Sequence, residues 1–274
     1  MGGIEFLKGH GTQNDFVLLP DPDGRLELTE ARVAALCDRQ RGLGADGVLR
    51  IVRSSALDVE SGGEWFMDYH NADGSIAEMC GNGVRVFVRH LVDSGLVTER
   101  DFVIGTRAGD RPVRMHADGS VTVQMGPATI TGTSVTVVAG KPFSGVAVNV
   151  GNPHLVSVVE DDVDLLDLRD QPDFDSDVFP EGVNLEFINL LGEDALKMRV
   201  HERGVGETRS CGTGTVAAVA AALHLAGTDT GEASVDIPGG RVVVEVRRGG
   251  STLTGPAEIV ARGELDEAWW AGLV

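Results

Sequence analysis

The chain is poor in cysteine and in positive charge, and each shortage closes off a class of function. Its 274 residues hold three cysteines and no Cys-x-x-Cys pair. Neither a disulfide framework nor a zinc site is indicated, and thiols in a reducing compartment fit better. Seven histidines (His10, His70, His90, His116, His154, His201 and His224) show no His-Glu-x-x-His or related spacing, which argues against metal catalysis. Lys and Arg total 23 against 42 Asp and Glu, a formal charge of −19. That excess of acid argues against nucleic acid and anionic membranes as partners. The longest apolar stretch, around Val216 to Leu225, is too short and alanine-rich to span a bilayer. With no basic segment leading into an apolar one at the start, the chain reads as cytosolic.

What the sequence does have is a repeat. Cys80-Gly81-Asn82-Gly83 and Cys211-Gly212-Thr213-Gly214 lie 131 residues apart (211 − 80). Each opens a helical pattern: Val84, Phe87, Val88 and Leu91 after the first, Val216, Val219, Ala220 and Leu223 after the second. That i, i+3, i+4, i+7 spacing predicts an amphipathic helix with one buried face. Gly95 and Gly227 close both as C′ glycines would. Gly126-Pro127-Ala128 and Gly255-Pro256-Ala257 follow strand-like runs, Val121 to Met125 and Arg241 to Thr254, and lie 129 apart (255 − 126). Asn71 and Glu202 each stand nine residues ahead of their cysteine (80 − 71 and 211 − 202).

Further short β-runs are predicted at Phe16 to Leu19, Val48 to Val52, Phe102 to Ile104, Val135 to Val138, Val146 to Val150, Leu155 to Val159, Asn184 to Asn189 and Lys197 to His201. The expected fold is α+β: two pseudo-symmetric lobes from an internal duplication, each a curved, mostly antiparallel sheet around a central helix. Residues 1–126 form the lobe carrying Cys80, with 257–274 packing on it, and 127–256 the lobe carrying Cys211. Cys37 falls on the Val33 and Leu36 face of a helix starting near Thr29, as a buried small hydrophobe. Acidic Asp161 to Asp177 reads as a solvated loop with a short helix, and Met1 to Leu7 carries little pattern.

Backbone N–H groups and the dipole at a helix N-terminus stabilise a thiolate, so each half is expected to hold a lowered-pKa cysteine. Two such bases suit inversion at carbon, one removing a proton while the other returns one from the opposite face. The N–H groups of Gly81, Asn82, Gly212 and Thr213 would bind a carboxylate and the charge spreading into it.

Asn14-Asp15-Phe16 after Gly11, Asn71-Ala72-Asp73-Gly74-Ser75, Met79 to Gly83, Gly151-Asn152-Pro153-His154, Val183-Asn184, Glu202 to Thr208 and Ser210 to Gly214 together resemble the diaminopimelate epimerase family, in order across nearly the whole chain. The resemblance implies two α/β lobes with substrate in a cleft, and a cofactor-independent isomerase interconverting LL- and meso-2,6-diaminopimelate for lysine and peptidoglycan precursors. It implies Cys80 and Cys211 as the acid/base pair. Asn14, Asn71, Asn152, Asn184 and Arg203, with Gly81, Asn82, Gly212 and Thr213 of the two turns, would be substrate contacts. Glu202 would accept from the substrate ammonium and, with His154, poise the thiols. A homodimer is compatible with it. One departure is Gly47, where some family members place a glutamine after the aspartate.

Proline racemases and hydroxyproline epimerases resemble the same pattern but normally carry histidine where Asn82 stands. A non-catalytic binding protein would show the loss of a cysteine, and a redox protein would use Cys-x-x-Cys. Neither feature is present.

Overall fold

The computed structural model describes residues 3–273. The chain divides into two compact units, one holding the residues up to Val123 and from Pro256 onward, the other Gln124–Gly255.

The first unit begins with β1 (Ile4–Gly11), β2 (Asn14–Pro20), α1 (Glu30–Cys37), β3 (Gly47–Arg53), β4 (Trp65–Asn71), α2 (Gly81–Asp93), β5 (Asp101–Ile104), β6 (Arg111–Met115) and β7 (Val121–Gln124). β1 and β2 are antiparallel, β2 and β3 parallel, β3 and β4 antiparallel. β5, β6 and β7 form an antiparallel set after the helix. Phe16-Val17-Leu18-Leu19 is apolar without alternation because both faces of its strand are covered. Val17, Leu19 and Val48 pack with Val33, Leu36 and Cys37 of α1, while Phe16 and Leu49 border Gly83 of α2.

The second unit repeats the plan with β8 (Thr129–Val138), β9 (Lys141–Asn149), β10 (Pro153–Val158), β11 (Asp173–Phe174), β12 (Asn184–Leu190), β13 (Ala195–Glu202), β14 (Gly206–Thr208), α3 (Gly212–Leu225), β15 (Gly231–Ile237), β16 (Gly240–Arg247) and β17 (Gly250–Gly255). β9 and β10 are antiparallel, β10 and β12 parallel, β12 and β13 antiparallel. An antiparallel β15, β16 and β17 follows the helix. The chain then returns to the first unit with β18 (Glu258–Leu265) and α4 (Glu267–Ala271). β18 pairs antiparallel with β1 as β8 does with β9. The strand after each Gly-Pro break therefore belongs to the other unit, and the chain needs its C-terminal strand to complete the sheet its first strand begins.

Four expectations require correction. The central helices do not bury one face only: Gly81 to Val88 of α2 and Gly214 to Ala221 of α3 are buried all round, because strands surround them. α3 packs against β8, β9, β10, β12, β13, β15, β16 and β17, and its alanines let those strands approach. Leu223, expected on its buried face, is only half-buried. Arg241 to Thr254 is a hairpin, turning at Gly249, whose φ of +79° suits glycine. Asp161 to Asp177 is more than a solvated loop. Val163 and Leu168 enter the core, its helix is a single 3₁₀ turn (Val163–Leu165), and β11 pairs with β8. Met1 to Leu7 contains the first half of β1, Ile4 to Leu7, while Met1 and Gly2 lie outside the described residues.

Both central helices end in the same motif. The N–H groups of Gly95 and Leu96 donate to Val92 and Leu91, and those of Gly227 and Thr228 to His224 and Leu223. These are paired Schellman caps with glycine in the left-handed region, φ +72° and +78°. Among the described residues no helix is long and apolar enough to cross a membrane.

Candidate active site

Each central helix starts on a cysteine. Cys80 and Cys211 are the N-cap residues, with extended backbone, and their sulfurs accept from the N–H of Gly83 at 3.5 Å and Gly214 at 3.4 Å. Sulfur thus takes the place of the Ser or Asp oxygen that usually caps a helix, and it lies where the dipole favours negative charge. Neither cysteine is in a disulfide.

In the first unit Cys80 lies against the β1–β2 hairpin. Its Sγ is 3.6 Å from Asn14 Oδ1, which also accepts from Asn82 Nδ2 at 3.1 Å. The Asn14 amide is oriented from behind, because its Nδ2 donates to Asp46 Oδ2 at 2.7 Å. Asp46 and Asp15 are held in turn by Arg39. The hairpin turn, Thr12-Gln13, is two residues long with φ of +51° and +64°. That is the backbone of a I′-type turn, built here without the usual Asn-Gly and with a β-branched residue in a left-handed conformation. Thr12 is buried and accepts through Oγ1 from Arg85 Nη2 at 2.8 Å. Asn71 stands at the end of β4, its Nδ2 donating to Ser75 Oγ at 3.0 Å.

In the second unit the cysteine lies among acids. Cys211 is buried, with Thr213 Oγ1 3.7 Å from its Sγ. Glu202, the last residue of β13, accepts hydrogen bonds from Cys211 and Thr208. Thr213 accepts from Asn152 Nδ2 at 3.4 Å, Asn152 Oδ1 is 2.9 Å from His154 Nε2, and His154 Nδ1 is 2.7 Å from Glu186 Oε1. His154 and Glu186 are both 0% exposed. Glu186 also lies over the helix start, since a Cβ on Gly214 would come within 2.6 Å of its Oε1. Asn184 ties the loops together, donating to the Pro153 carbonyl and accepting from Arg203 N–H, both at 3.0 Å. Arg203 is exposed, its guanidinium on the Glu181 carbonyl.

The expectation that both thiols are acidified therefore fails for Cys211. Burial pushes its pKa well above the ordinary thiol value, and the Glu202 and Glu186 charges push the same way; the Gly214 N–H and Thr213 only partly oppose them. Burial also raises Glu202, against its hydrogen bonds from Thr208 and Cys211. Cys211 is thus held in its protonated form.

Within their own units, then, the sequence-derived residues Cys80, Asn14 and Asn82 come together, and so do Cys211, Thr213, Asn152, His154 and Glu202. Sequence reasoning missed Asp46, Glu186 and Arg85. The signal for the last two was a charged residue inside an apolar run, Leu185-Glu186-Phe187-Ile188 and Val84-Arg85-Val86-Phe87.

Comparison with known proteins agrees with this architecture. The family model for diaminopimelate epimerase matches residues 6–131 and 146–260. The diaminopimelate epimerase of Rhodococcus opacus is 55% identical, covering 98% of this chain and 100% of its own. That of Mycolicibacterium smegmatis is also 55% identical, over 97% and 98%. Among solved structures, a hydroxyproline epimerase from Agrobacterium vitis with bound trans-4-hydroxy-L-proline shares the fold at 15% identity, with a TM-score of 0.65 over 99% of this chain and 95% of that one. A PhzF-family phenazine biosynthesis protein from Bacillus anthracis does so at 17% identity, with a TM-score of 0.67 over 97% and 100%. Near-complete coverage at such identity, on a duplicated fold that caps each central helix with a cysteine, places the chain in the diaminopimelate epimerase family.

Proposed function

We propose that this protein interconverts LL- and meso-2,6-diaminopimelate, without a cofactor, using Cys80 and Cys211 as the two acid/base groups. The observation that carries the reading is the pair of equivalent cysteine-capped helices in different surroundings: Cys211 kept protonated by burial and by the Glu202 and Glu186 carboxylates, Cys80 on the helix that carries the buried Arg85 guanidinium. A two-base inversion needs one thiolate and one thiol at the outset.

In the proposed step the thiolate takes the α-proton, so the C–H bond breaks and an S–H bond forms. The electron pair left on carbon spreads into the α-carboxylate. The thiol of the other cysteine then gives its proton to the opposite face and becomes the thiolate, which leaves the protein ready for the reverse reaction. The carbanion is the costly species, and the N–H groups at the helix starts, Gly81, Asn82, Gly212 and Thr213, are the donors suited to the charge on its carboxylate. Asn14, Asn71, Asn152, Asn184 and Arg203 are the proposed contacts for the rest of the substrate. Their amides and guanidinium offer the donors and acceptors that a second amino-acid centre requires. Glu202 and His154 set the protonation of the Cys211 side, with His154 acting through Glu186 and Asn152. The place of the reaction is lysine and peptidoglycan-precursor synthesis.

The test is proton NMR of the reduced protein in D₂O with LL-diaminopimelate, and with L-proline in parallel, nothing else being added. Deuterium entering the α-position as the meso isomer appears is the expected result. Exchange on proline alone, or on neither, contradicts the assignment.

A further inference from the structure

Arg85 is an anomaly in the first unit. It is 0% exposed, one turn into α2, and no carboxylate pairs with it among the described residues. Its Nη2 donates to Thr12 Oγ1 at 2.8 Å and its Nε to the Pro256 carbonyl at 3.1 Å, while Nη1 has no partner. A buried cation that keeps one N–H unpaired is costly unless an anion shares the site. We propose that Arg85 is a positioning residue whose guanidinium is the counter-cation of the Cys80 thiolate, holding Cys80 as the proton acceptor of the resting protein.

Three observations support this. Cys80 caps the helix that carries Arg85, and each form of its sulfur has a partner: the thiol faces Asn14 Oδ1 and the thiolate accepts from Gly83 N–H. Thr12, the strained hairpin residue that leads to Asn14, is held by the same guanidinium. Burial pulls the Arg85 pKa down to about 10, and the charge that opposes this is that of the Cys80 sulfur.

Other charged groups on α2 and its neighbouring strands are engaged elsewhere. Lys8 and Asp15 join Arg39 and Asp46, and His10 pairs with Glu258. Arg50 and His70 meet at Asp68, and Arg53 meets Glu64. Arg89 pairs with Asp93 and Arg114 with Asp101, while Arg111 donates to the Asp110 carbonyl. Arg262 acts on His90, and exposed Glu5 and Glu264 lie opposite one another.

The inference deepens the acid/base reading of Cys80, and its test is independent of turnover. The rate of Cys80 alkylation by iodoacetamide would be followed against pH without substrate, each cysteine being resolved by peptide mass mapping. Arg85→Gln keeps a donor for Thr12 and removes the charge; Arg85→Lys keeps the charge. Loss of a close opposite charge moves a pKa by about 1–3 units, so the Cys80 midpoint should rise by at least about one unit in Arg85→Gln and stay near wild type in Arg85→Lys. An unchanged midpoint in Arg85→Gln, or an equal rise in both, overturns the proposal. Should neither variant fold, the wild-type protein decides: a Cys80 midpoint below the ordinary value of about 8.5 supports the counter-cation, and one at or above it overturns it. Failure to epimerise diaminopimelate with these midpoints intact would count against the proposed function alone.

Discussion

The turn that presents Cys80 and the turn that presents Cys211 share a backbone and differ in charge. Both place sulfur at the N-cap over a Gly N–H, at 3.5 and 3.4 Å, and both helices end in Schellman caps. The Cys80 charge acts on a buried guanidinium, that of Arg85; the charges that act on Cys211 are carboxylates, Glu186 buried and Glu202 half-buried. Duplication thus supplied two equal cysteine-capped helices, and substitution within one helix, at Arg85, and on strands beside the other, at Glu186 and Glu202, made them unequal. In the proposed two-base step, unequal surroundings define which thiol holds the proton at rest.

The largest effect should come from removing either sulfur. Cys80→Ala and Cys211→Ala should each lower the epimerisation rate by about 10²–10⁴-fold, the range for a lost general acid or base, in a steady-state assay. One variant of near wild-type activity would break the two-base comparison.

Next is a difference in acid stability between the helices. His90 and His224 both lie in the last turn of their helices, but His90 is buried and His224 exposed. Burial, aided by Arg262, lowers His90 from 6.5 to about 4. A depressed folded-state pKa means that the contribution is whole above pH 6.5 and is lost as pH falls through 4. Over that window it amounts to about 3 kcal/mol. Urea unfolding of His90→Leu should show a flatter loss of stability from pH 6.5 to 4 than the unsubstituted protein; an equally steep loss would contradict this.

The third glycine of each motif gives a smaller contrast. A Cβ at Gly214 would meet Glu186 Oε1 at 2.6 Å and Cys211 Sγ at 3.2 Å, but at Gly83 the tightest contact is the end of Leu49 at 3.2 Å, with Cys80 Cβ and Phe16 at an ordinary 3.5 Å. Gly214→Ala should cost about 1–3 kcal/mol. Gly83→Ala should be near neutral, strain against Leu49 being offset by the helix propensity of alanine, about 1 kcal/mol. The smallest effect is a symmetry: Gly95→Ala and Gly227→Ala, each at positive φ with nothing within 4 Å of the new Cβ, should lose a similar ~1–2 kcal/mol in thermal unfolding.

Both central helices were legible because their signals are local: a capping residue, periodic apolar positions and a C′ glycine within fifteen residues or so of one another. Strand β1 was not, since its meaning depends on β18 at the far end of the chain. Burial of both helices on all sides followed from the closing strands and escaped periodicity for the same reason. In the site, Cys80, Cys211, Asn14 and Asn152 were legible as motif residues. Glu186 and Arg85 were not, because a charge in an apolar run acquires its role only from what the other strands bring beside it. The sign of the Cys211 shift was missed likewise: a helix start argues for acidity, and burial, joined by two acids from β12 and β13, reverses it.

The central claim is that two thiols, not one, handle the α-proton. The direct test is to follow LL-diaminopimelate in D₂O at low conversion and locate the isotope. Two opposed groups predict meso product carrying solvent deuterium while the unreacted LL isomer retains its hydrogen. Equal early deuteration of substrate and product, or product that keeps the original hydrogen, would indicate a single shared base and contradict the account.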